Sequence, residues 1–134
     1  MEYKELNDVL RKRFPSLKTI IDAEMDTFEC YIPGPHVLYG NVLNPYISGL
    51  LRMPNKSDEI SNVFLFYEEL AQSDDSEVRN LLQATLLEYL WDEHIIFCRA
   101  IKHMLPETKK INESIGTYLK KPYPSDEYAV VKDR

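Results

Sequence analysis

The chain is short of the residues that build nucleotide- and metal-dependent active sites. Its 134 residues include only four glycines, Gly34, Gly40, Gly49 and Gly116, and no two are grouped into a loop that could cradle a phosphate. A P-loop or dinucleotide fingerprint is thereby excluded. The two cysteines, Cys30 and Cys98, lie far apart in apolar surroundings without CxxC spacing. They read as buried thiols in a reducing compartment. No apolar run approaches the ~18 residues of a membrane span. The opening "MEYKELNDVLRKRF" lacks the apolar stretch of a secretory signal and reads as an amphipathic helix. The expectation is a cytoplasmic protein with no membrane association and no cofactor.

Positive charge is also missing where it would matter for nucleic acid. Between residues 57 and 93 ten acids face one base, Arg79, so that segment carries −9 of a net charge of −6. Nucleic-acid binding relies on Lys and Arg neutralising phosphates, so this section would repel it. Two readings of the acids stay open. They are the solvated faces and capped starts of two helices, or they form a surface that steers in a basic protein partner.

Large side chains are plentiful. Hydrophobic residues make up 44% of the chain, with nine tyrosines, five phenylalanines and one tryptophan. That suffices for one core in a domain of this length. The apolar spacing is helical almost throughout. Leu6, Val9, Leu10 and Phe14 mark a first helix stopped by Pro15, and Ser16 offers a cap for a second carrying Leu17, Ile20, Ile21, Met25 and Phe28. "PGPH" at 33–36 is a break. A third helix follows, with Pro45 tolerable if Asn41 or Asn44 caps its start. Ser57 caps a fourth, running to about Gln72, and Asp74 or Asp75 caps a fifth, Val78 to about Leu90. Helices through Ile95–Leu105 spacing and from Pro106 onward complete the set. The reading is an all-α single compact domain of about seven helices in antiparallel hairpins, over residues 1–120. HEAT-like (α-solenoid-like) stacking is its sharper form, and residues 121–134 form a mostly unstructured tail. Phe64, Tyr67, Leu82, Leu86, Leu90 and Trp91 are assigned to the core.

The stretch "LLQATLLEYLWDEHIIFCRAIKHML" collects the only tryptophan, two of three histidines and Cys98. His94 and Cys98, four apart, share a helix face, but His103 is about half a turn out of phase with them. Two ligands are too few for a protein zinc site. A Cys98–His94 nucleophile pair lacks a visible orienting group. The stretch is therefore read as core, with Cys98 packed by Ile95 and Ile101, Trp91 filling a gap between helices, and Asp92 and Glu93 capping the following helix. A small metal-dependent hydrolase using His94 and Cys98 remains as the rival enzyme reading; no catalytic activity is expected.

The passages "PHVLYGNVLNPYISGLLR", "FYEELAQSDDSEVRNLLQATLLEYLWDE" and "AIKHMLPETKKINESIGTYL" resemble a family of small all-helical bacterial proteins. Its members look like the immunity proteins of polymorphic and contact-dependent toxin systems. The resemblance spans roughly residues 4–120 and implies a cytoplasmic protein that binds and neutralises a cognate toxin domain. No site residue is carried over with it. Toxins of this kind are often nucleases or otherwise basic enzymes, so the acidic segment supplies the candidate partner-binding residues. These are Glu68, Glu69, Asp74, Asp75 and Glu77, with Asp92 and Glu93 at the far end. The alternative is a non-catalytic helical adaptor with another protein partner, and the many tyrosines would also suit a homodimer interface.

Overall fold

A computed structural model describes residues 1–28 and 31–121. Cys30 and the tail from residue 122 onward lie outside the described residues. Seven helices form one compact all-α domain, and no strand occurs among the described residues. They are α1 Leu6–Arg13, α2 Lys18–Asp26, α3 Pro35–Arg52, α4 Ser57–Ala71, α5, α6 His94–Ile101 and α7 Pro106–Leu119. Helix α5 is continuous but changes winding: Ser76–Asn80 is α-helical, Leu81–Leu87 is π-helical and Glu88–Leu90 is α-helical again. Short 3₁₀ turns, Tyr3–Glu5 and Pro15–Leu17, lead into α1 and α2.

The apolar periods dictate the packing. Helix α3 is buried on several sides by Leu38, Tyr39, Val42, Leu43, Ile47, Leu50 and Leu51, as expected of a helix surrounded by others. It packs against α1, α2, α4, α5 and α6. Helix α4 in turn packs on α3, α5 and α7. Phe64, Tyr67, Leu82, Leu86, Leu90 and Trp91 are all buried, as their spacing predicts. Phe14, Phe66 and Tyr39 form an aromatic chain, with edge-on contact at 5.4 Å between the first two and stacking at 6.2 Å between the last two. Trp91 packs against Phe97 in a tilted arrangement, ring centres 4.3 Å apart, and donates its indole N–H to Asn112 Oδ1 at 2.9 Å.

Several local expectations are corrected. Pro45 is not in a first turn: α3 begins at Pro35, and Pro45 sits inside it. Pro35 takes the first helical position, where a missing N–H costs nothing, so the break in "PGPH" falls before it. Ser16 and Ser57 are not caps, since Leu17 and Lys56 hold those positions and neither gives a side-chain cap. Helix α2 ends at Asp26, short of Phe28. Cys98 is fully buried as expected, while Ile95 is half exposed. The π segment was not anticipated. Its wider winding presents the Thr85 carbonyl to Asn44 Nδ2 at 2.9 Å, while the Thr85 hydroxyl meets His36 Nδ1. Inserted turns of this kind need such side-chain partners to satisfy displaced backbone groups.

Candidate protein-binding groove

The turn between α4 and α5, residues 73–75, is built by its own side chains. Asp75 caps α5, its Oδ1 accepting the Glu77 N–H at 2.9 Å. Its other oxygen accepts the Tyr3 N–H at 2.8 Å, which fastens the amino-terminal turn to the start of α5. Ser73 adds a second tie, donating its hydroxyl to the Met1 carbonyl at 2.7 Å, and Arg79 donates to the Ser73 carbonyl at 2.6 Å. The backbone N–H groups of Tyr3 and Glu77 hold the Asp75 carboxyl below the usual carboxylate range, with Arg79 adding to the effect.

This arrangement opens a groove of about 640 Å³ lined by Glu2, Tyr3, Asp74, Asp75 and Glu77 together with Met1 and Lys4. A smaller recess of about 230 Å³, bounded by Tyr3, His36, Glu77 and Asn80, adjoins it through Tyr3 and Glu77. The Tyr3 hydroxyl is pushed up, first by partial burial and then by the Glu77 charge. Lys4 is tied to Glu2 at 3.4 Å, so carboxylates dominate the lining. Such a groove offers a basic side chain several acceptors and one aromatic wall.

The seven acids named from the sequence do not form one surface. Asp74, Asp75 and Glu77 converge on the groove. Glu69 is exposed on α4 and ion-paired with Arg13, whose guanidinium lies 5.6 Å from the Phe66 ring centre. Glu68 is a correction: it is buried, at 8% exposure. Its carboxylate accepts the backbone N–H of Glu107 at 3.0 Å and that of Thr108 at 2.8 Å, and also the Thr108 hydroxyl at 2.9 Å. It therefore serves as the cap of α7, satisfying amides that helix cannot pair itself. Its place was legible, since Phe64, Glu68 and Ala71 fall on one helical stripe. Asp92 is exposed, and Glu93 holds the N-cap position of α6 as expected, but its side chain makes no capping hydrogen bond and pairs with Arg52 at the end of α3. That position lies at the start of α4, while the groove lies past its end, a helix length of roughly 22 Å away. Met1, Glu2, Tyr3 and Lys4 are the groove residues that the sequence reading missed; nothing local links them to a turn some 72 positions later.

His94 Nε2 does lie 3.3 Å from Cys98 Sγ, and His103 stacks on Phe64 at 6.0 Å. Among the described residues, no group of three or more His, Cys, Asp or Glu could hold a metal ion. No helix among them is long and apolar enough to cross a membrane.

Residues 7–119 match the family described as Domain of unknown function (DUF7674), and the chain belongs to it. No curated protein and no solved structure shows a significant match to the chain.

Proposed function

We propose that this chain is a non-catalytic binding protein whose acidic groove receives a basic segment of a partner protein. The observation that carries this reading is the convergence of Glu2, Asp74, Asp75 and Glu77 around Tyr3, in a concavity held open by the Asp75 and Ser73 ties. The partner we assign is a cognate toxin domain with a basic active cleft, neutralised by occlusion. The resemblance to immunity proteins supports that choice, and the sign of the groove supports the occlusion. Localisation with the toxin's target, in the cytoplasm, belongs to the same proposal.

The test uses two exposed acids, because Asp75 also holds the turn together. Asp74→Lys and Glu77→Lys in one variant should leave the fold intact and slow association with the product of the neighbouring gene by one to two orders of magnitude at low salt, on the scale of electrostatic steering. The difference should shrink as ionic strength rises. Co-expression should rescue growth from the toxin with the wild-type chain and not with the variant. Equal association rates for both proteins at low salt would place the interface elsewhere. Binding without rescue from any toxicity would favour the adaptor reading.

A further inference from the structure

The opposite end of α4 brings several basic side chains together. A cavity of about 340 Å³ lies among the end of α3, the turn at residues 53–56, the start of α4 and the face of α6. Arg52, Lys56, Arg99 and His103 line it, with Ser57 and Ile60, and none of the described lining residues is acidic. Carboxylates stand close by without lining it: Asp58 and Glu59 follow in the first turn of α4, and Glu93 reaches Arg52.

Each cation comes from a different element. Arg99 on α6 is seated by a 2.8 Å hydrogen bond from Nη1 to the Leu51 carbonyl, which fixes its guanidinium at the end of α3. Arg52 pairs with Glu93, and Lys56 with Glu59 at 3.4 Å. Both pairs are about half exposed, and exposed pairs are weak enough to yield to a better-placed anion. The adjoining backbone contributes as well. Helix α4 starts without a side-chain cap, after Asn55 in the left-handed region at φ 62°. Ser57, the first residue of α4, lines the same cavity, with the positive end of the helix dipole behind it.

We propose that this cavity binds a phosphate-type oxyanion, held by Arg52, Lys56 and Arg99 with the first amides of α4 completing its coordination. Donors contributed by three separate elements around one cavity suit a tetrahedral dianion better than a planar carboxylate, and guanidinium groups match phosphate oxygens in pairs. The volume is near the lower bound of small-molecule sites, enough for inorganic phosphate or a small phosphomonoester. The site is independent of the acidic groove and of any toxin partner.

Amide NMR of the full chain, titrated in separate arms with inorganic phosphate and with glycerol phosphate, reads the site directly. Chloride at matched ionic strength serves as the control. Saturable shifts of the amides of residues 57–59 are expected, absent with chloride. Arg52→Gln and Lys56→Gln should each weaken binding about tenfold, the usual size of one charge-assisted contact, with the melting temperature nearly unchanged because both side chains are about half exposed and their ion pairs weak. Tighter binding of inorganic phosphate would identify the free ion as the ligand, and tighter binding of glycerol phosphate a phosphorylated small molecule. The proposal is overturned if neither arm saturates, if chloride gives the same shifts, or if the amides of residues 57–59 stay unmoved while binding occurs. Undiminished affinity in both variants would overturn it equally, and the wild-type shifts decide the matter even if a variant folds poorly.

Discussion

Glu68 and Asp75 bear the same charge, seven positions apart, and both act as helix caps. Glu68 caps a helix distant in sequence and is buried doing so; Asp75 caps its own helix and stays near solvent. The difference sets what each substitution should do. Glu68→Ala removes three charge-assisted hydrogen bonds from a buried site and should cost about 2–4 kcal/mol in urea unfolding. Glu68→Gln keeps the acceptor oxygen and should cost roughly half as much. Asp75 acts through pH. Its folded-state pKa is lowered by the Tyr3 and Glu77 amides, so its stabilisation is present above the unfolded value of about 3.9 and is lost as pH falls through the lower folded value. Urea midpoints of the wild type and Asp75→Ala should therefore differ at neutral pH, begin to converge only below about pH 4 and meet below the lowered folded value. A difference that persists unchanged at pH 2 would mean that the ties to Tyr3 and Glu77 are not ionic.

At the scale of the elements, the close contact between α5 and α7 is the most exacting. A Cβ placed on Gly116 would meet Trp91 Cη2 at 2.8 Å and the Lys121 carbonyl at 3.2 Å. Alanine is favoured over glycine inside a helix by about 1 kcal/mol, but a rigid indole cannot move aside, and overpacking typically costs 1–3 kcal/mol. Gly116→Ala should thus destabilise the wild type by about 1 kcal/mol and become neutral or stabilising in a Trp91→Phe background. A double-mutant thermal cycle measures that reversal. The helices themselves were legible because apolar spacing sets which faces are covered: Leu6 and Leu10, Val63 and Tyr67, and Leu82 and Leu86 all lie buried at one-turn intervals. The π segment was not, since "LLQATLL" carries neither glycine nor proline to mark it. Its winding answers to Asn44 and His36 on another helix, which no local pattern encodes. Half of the groove was legible for a similar reason. Asp74, Asp75 and Glu77 stand together in sequence, whereas Glu2 and Tyr3 reach them only through the tertiary ties of Asp75 and Ser73.

The whole molecule is organised by α3. Charge reversal at Asp74 and Glu77 should leave unfolding free energy within about 0.5 kcal/mol, since both side chains are exposed; equilibrium denaturation of the variant checks this before any binding result is read. The central place of α3 has a further effect during synthesis. A growing chain supplies α1, α2 and α4 to α3 early, but the flanks that α5 and α6 cover stay open until Ile101 has been made. Leu38, Val42, Ile47 and Leu51 sit on this helix with side chains almost wholly sequestered in the finished fold. Nascent chains stalled before α6 should then leave part of this apolar surface exposed, bind hydrophobic dyes, recruit holding chaperones and sediment as aggregates, whereas chains extended through Leu119 should not.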